Sequence, residues 1–160
     1  MVKICRNCLN MFEGNILIDN CPMRECGGWD LIEIDDMLAA VIVRFWSMGI
    51  STAFCCSGHL YEICFSPHVM FDEPRNDDGL EALTFLRDIF MDLNEADNLV
   101  EIGEIKPLRD MYTFTVRGKK CKDDPILRLE VQNDFLSFLY EVSEVIRTEL
   151  CEDCGSAETQ

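Results

Sequence analysis

Residues 5–26 read CRNCLNMFEGNILIDNCPMREC, and the four cysteines in this stretch decide how the rest of the chain is read. Cys5 and Cys8 are spaced C-x2-C; after twelve intervening residues Cys21 and Cys26 are spaced C-x4-C. Two short pairs at this separation predict a zinc ribbon. Each pair occupies a tight turn, the segment between them forms a hairpin, and four thiolates close a tetrahedron around Zn²⁺. Pro22 after Cys21 and Gly27-Gly28 after Cys26 supply the turn chemistry. Phe12, Ile16, Leu17 and Ile18 would form the hairpin, with Glu13-Gly14-Asn15 at its turn. Rubredoxin-type iron would use the same four sulfurs, and C-x4-C is less usual for either metal; zinc is the expectation. A site filled by four protein ligands is structural, and so small a unit is expected to unfold without its metal.

Composition narrows the setting. The chain has 160 residues, 30 acidic and 14 basic, for a formal charge of −16. That balance excludes a protein that coats duplex nucleic acid or an anionic membrane, since both need cationic surfaces. A 48% hydrophobic content is enough for a packed core and excludes wholesale disorder. The N-terminal MVKICRNCLNMF has no long apolar run after its basic residue, so a secretory signal is not expected. The longest apolar run, residues 37–43, ends at Arg44 and is far too short to span a bilayer. A cytoplasmic protein follows, and its ten cysteines are first read as metal ligands, reactive thiols or core residues.

Beyond the ribbon (residues 1–30), residues 29–34 read as a connector. Asp35 or Asp36 caps a helix to about Met48. Its apolar positions Leu38, Val41, Ile42, Phe45 and Trp46 share one face, and Gly49 follows its end. Strands are expected at 50–56 and 60–66, joined by Ser57-Gly58, then a polar loop at 72–79 and a helix at 80–93. Further strands are expected at 99–105 and 111–117. A last helix starts at Asp124-Pro125 and keeps phase through Leu127, Val131, Phe135, Phe138, Val142 and Val145. A strand over 126–131 is the alternative for its start. The order α-β-β-α-β-β-α predicts an α+β domain (31–150) with a mainly antiparallel sheet and helices on one face, then a polar tail (151–160). Phe85, Phe90, Phe135 and Phe138 read as core, and the acidic runs 72–78 and 141–153 as solvated faces. A surface that mimics nucleic-acid phosphates or docks on a basic protein is the other reading of those runs.

The densest chemistry is Cys55-Cys56-Ser57-Gly58-His59. Cys56, Ser57 and His59 supply a possible nucleophile, hydroxyl and base, or soft metal ligands. Alternatively one cysteine is core, the other faces away, and Ser-Gly makes the turn. Residues 34–65 resemble the stretch around the S-C-S-G-R motif of the wybutosine-synthesising tRNA methyltransferase family. The resemblance rests on Cys56, Ser57 and Gly58, with Cys55 in place of the family's serine and His59 in place of its arginine. It covers about a fifth of the chain and implies a similar α-β-turn-β unit, with S-adenosylmethionine or RNA as the ligand class. The ribbon with CCSGH is also similar to small uncharacterised proteins of bacteriophages and their Gram-positive hosts, which imply no assigned activity; interference with a host system is a reasonable role for such a layout.

Cys151 and Cys154 form a second C-x-x-C, half of a possible second metal site or two exposed thiols at a helix end. Residues 117–122 (RGKKCK) are the one basic cluster, and Arg117, Lys119 and Lys120 could hold phosphate or simply face solvent. His68 has no evident partner. Two functions follow: a zinc-binding regulatory module for a protein or small-molecule ligand, or a nucleotide- or RNA-related enzyme or ligand-binding domain built on the 55–59 turn.

Overall fold

The computed structural model describes residues 1–14, 18, 20–28, 31–58, 66–121 and 124–155, the last six of these by their backbone alone. Three short strands come first: β1 (Val2–Cys5), β2 (Met11–Glu13) and β3 (Leu31–Ile34). They form an antiparallel sheet in the order β2-β1-β3, with Ile4 opposite both Met11 and Ile32. Among the described residues the hairpin turns at residues 6–10, through the first cysteine pair, and its second strand lies between the pairs. Leu9 N–H donates to Cys5 O at 2.8 Å and Cys5 N–H to Asn10 O at 3.1 Å, with Leu9 at φ 59°. The expected apolar contribution of Ile16 and Leu17 lies outside the described residues. Residues 31–34 are not a connector but the third strand. The alternation of LIEI turns Ile34 into the core and sets Glu33 beside Lys3.

Helix α1 (Asp36–Ser47) begins after Asp35 and ends where Gly49 adopts φ 80°, as its sequence predicts. Strand β4 (Ser51–Cys56) and β5 (His68–Pro74) follow, then α2 (Asp77–Asp97). Next come β6 (Val100–Ile102), β7 (Lys106–Leu108), β8 (Met111–Gly118) and α3 (Pro125–Gly155). The second sheet is antiparallel throughout, in the order β4-β5-β8-β6, with β7 also on β8. The mixed α+β class, with its N-terminal cysteine cluster, is thus as expected.

Several boundaries differ. Strand β5 occupies residues whose polar end, Asp72 to Pro74, reads as a loop; most of the expected strand at 60–66 lies outside the described residues. Asp72 is not a solvated acid but 4% exposed. Helix α2 starts earlier than residue 80 because the Asn76 side chain accepts the Gly79 N–H at 2.6 Å and caps it. Helix α3 is continuous from its Asp124 cap, which accepts from Ile126 N–H at 2.8 Å, so the strand alternative for 126–131 is set aside. It runs through Gly155, into what composition marks as tail.

One face of the second sheet is buried. Val69, Phe71, Phe114 and Val116 are at most 1% exposed and pair across β5 and β8. Phe71 meets Phe45 of α1 at 5.1 Å, Phe90 of α2 at 5.0 Å and Phe114 of β8 at 5.3 Å between ring centroids. Phe138 of α3 joins through Phe90 at 5.8 Å. Phe90, Phe135 and Phe138 are core as expected; Phe85 is 59% exposed and is not. Replacing Phe71 by Ala should lower the unfolding free energy by about 3–5 kcal/mol in a urea titration. Phe85→Ala should change it by less than about 0.5 kcal/mol; equal effects would show that this packing is not the core.

Candidate metal centre

The four cysteines converge. The sulfurs of Cys5, Cys8, Cys21 and Cys26 all lie within 4.8 Å of one another, and all four are free thiols. Cys5–Cys26 and Cys8–Cys21 approach to 3.5 and 3.6 Å. In a zinc tetrahedron with ~2.3 Å bonds, sulfurs sit about 3.8 Å apart, so the cluster is already at the spacing of four ligands to one metal ion. Cys5 is placed by β1, and Cys8 by the β1–β2 turn. Cys21 and Cys26 share a loop closed by Cys21 N–H to Gly28 O at 3.0 Å and Cys26 N–H to Met23 O at 3.1 Å. Gly28 is needed there: a Cβ would stand 2.9 Å from the Cys5 sulfur and 3.0 Å from that of Cys26.

The protons show how the cluster is poised. Asn10 donates its side-chain N–H to Cys8 Sγ at 3.2 Å, and with its backbone N–H brings that thiol down to about 6. Burial pushes Cys21 up to about 12 and raises Cys5. Close-packed thiols cannot all ionise without a cation between them, so loading a dication must release protons. Asn7 donates to Cys26 Sγ at 3.5 Å and to its carbonyl at 2.8 Å. Gly28 is part of the turn that the sequence predicts after Cys26, whereas Asn7 and Asn10 are not among its expected site residues; the nearness of two amide side chains to Cys8 is the signal that could find them.

The ribbon is tied to the body rather than hung from it. Ile4 and Ile34 belong to the main core. Arg6 donates to Thr52 O at 2.9 Å and lies 5.2 Å over the Trp46 ring. The N-terminal amine sits 2.8 Å from the Asp36 carboxylate.

The Cys55–Gly58 turn is bound into the fold on both sides. Ser57 donates its N–H and its hydroxyl to Asp35 Oδ2, at 2.9 and 3.2 Å, and is 7% exposed. Gln132 of α3 donates to Ser57 O and Gly58 O, both at 2.9 Å. Cys55 packs against the core, while Cys56 lies opposite His68 on the other sheet face and accepts from Gly58 N–H at 3.4 Å. So Ser57 is brought to Asp35 and Gln132, two residues the motif reading did not name. His59, Cys64 and the side chains of Cys151 and Cys154 lie outside the described residues. His68 Nδ1 is 2.8 Å from Ser66 O. Arg117 and Lys120 are exposed at one end of β8, and Lys119 is half-buried between them.

No family model, curated protein or solved structure matches the chain.

Two outcomes follow for the turn. Gln132→Leu leaves two buried carbonyls without their donor and should cost about 1–3 kcal/mol in stability; no measurable cost would show that the bonds do not hold the turn. Burial, aided by the negative charges of Asp35 and Cys56, pushes Cys55 up to about 12 from 9.0, so its ionisation opposes folding only as pH rises above 9. At pH 8 Cys55 should alkylate about a thousandfold more slowly than an ordinary cysteine; peptide mapping of an iodoacetamide time course would show otherwise if it labels early.

Proposed function

We propose that this chain is a small zinc-ribbon binding module: a cytoplasmic regulatory protein whose single Zn²⁺ is structural and which acts by binding a protein or small-molecule ligand. The observation that carries the reading is the four-sulfur cluster. Its members leave no position for water or substrate when one tetrahedral ion is bound, so the metal would hold shape and not react. The knuckle geometry supports zinc over a hard cation, because all four donors are soft thiolates. Within this reading Cys5, Cys8, Cys21 and Cys26 hold the ion as thiolates, and the N–H groups of Asn7 and Asn10 disperse their charge. Four thiolates and one dication carry a net charge of about −2. The loaded protein is then more acidic than its formal −16.

The ribbon sheet shares Ile4 and Ile34 with the main core, so removing the ion should weaken the whole fold. Elemental analysis of protein purified without added metal should return one zinc per chain. Absence of any metal, or iron in its place, would overturn the assignment. Cys8→Ser should reduce zinc occupancy and lower the melting temperature by about 5–10 °C, as expected for a loss of 2–3 kcal/mol. An unchanged midpoint with full zinc content would show that Cys8 is not a ligand.

A further inference from the structure

The strongest unassigned feature is a groove of about 440 Å³ on the face of the second sheet that carries no helix. Its lining brings together Lys106 of β7, Arg117 of β8, Lys120 just beyond it, Met70 of β5, Thr115 of β8 and Glu101 of β6. All but Lys120 stand on alternate strand positions to the buried Val69, Phe71 and Val116, and so on the opposite face. Lys106 lies opposite Thr113 and Glu101 opposite Arg117, so cations stand at both ends of a trough about 13 Å long.

Lys3, Arg44, Arg87 and Arg147 each meet a glutamate within 4.0 Å. Among the described residues, Lys106, Arg117 and Lys120 have no carboxylate oxygen within that distance, although acidic side chains outnumber basic ones two to one. Among the described residues Arg24, Arg75, Arg109 and Lys119 also lack a carboxylate partner, so what sets the groove cations apart is that three unpaired ones line a single concavity. Glu104, which also borders the groove, is occupied by Arg87 at 3.2 Å. Three unpaired cations collected in one concavity of a chain at −16 make a local positive site in a negative field.

We propose that this groove binds a phosphorylated small molecule of nucleotide size. The volume lies within the range of small-ligand pockets, ~300–1,000 Å³. Arg117 offers a planar fork for two phosphate oxygens, and Lys120 a point charge beside it. Glu101, at the same end, accepts from a sugar hydroxyl, and Met70 with Thr115 forms the floor under the rest of the ligand. The surrounding negative charge repels a long polyanion while tolerating a short one, which favours a free nucleotide over an RNA strand. The groove lies in the body of the fold, so this assignment stands independently of the metal.

The test is an amide ¹H–¹⁵N titration of the full, zinc-loaded chain with ATP, GTP and inorganic pyrophosphate in turn, with adenosine and a single-stranded oligouridine as comparisons. At least one nucleotide should shift amides 66–72, 101–106 and 113–120 saturably, with adenosine at least about tenfold weaker. Arg117→Gln and Lys120→Gln, both at exposed positions, should each weaken binding about tenfold, since each removes a charge-assisted bond. Lys119→Gln, which does not line the groove, should change it less than about twofold. The proposal fails if none of the three phosphate probes saturates by about 5 mM, or if shifts are confined to residues 5–28, which would mean metal stripping. It also fails if Lys119→Gln weakens binding as much as Arg117→Gln, or if oligouridine binds more tightly than any nucleotide.

Discussion

Phe71 is where the layers of this protein meet. Its ring lies within 5.3 Å, centroid to centroid, of Phe45, Phe90 and Phe114, which come from the first helix, the second helix and the neighbouring strand. Because it sits on the central strand β5, its burial obliges the sheet to turn one face inward across its whole width. Three helices cover that face, and the opposite face carries polar side chains, Phe54 and Met70, and the groove. Aromatic pairs at these distances add a directional term to the area they bury, which helps to hold the helices at one set of angles.

The ribbon shares in this arrangement. Ile4 and Ile34 extend the same core, and Arg6 bridges to β4 through the Thr52 carbonyl and to α1 through the Trp46 ring. Asp35, at the junction, does not cap its own helix with its side chain; its carboxylate accepts both bonds from Ser57 instead. Gln132 then holds the same turn from α3. A cysteine cluster at one end and a sheet turn are thereby both tied to the body by part-buried and buried polar contacts.

What was legible in the sequence follows from range. The two cysteine pairs, the face of α1, the Gly49 stop and the Asp124 cap are signals contained within a turn or two, and each stands where the residues place it. Strand β5 was obscured because Asp72, Glu73 and Pro74 are loop-forming residues that pairing with Thr113, Tyr112 and Met111 holds extended. Phe85 lies one residue from Leu86, two from Leu83 and five from Phe90, about 100–160° around the helix from each, so its apolar character reads as core while its phase turns it outward.

By itself, then, the sequence determined an N-terminal four-thiol site, three helices and an antiparallel partner for them, since ligand spacing, caps and periodicity act locally. Tertiary structure alone decided which cysteine of the Cys55–Cys56 pair is inside. The irregularity between Thr52 and Phe54 shifts the register by one residue, so Phe54 turns out at 63% exposure and Cys55 turns in. Strand alternation has a period of two, and one extra residue inverts it. The same holds for part of the groove: Arg117 and Lys120 are neighbours along the chain, but Lys106 joins them only because β7 and β8 are paired.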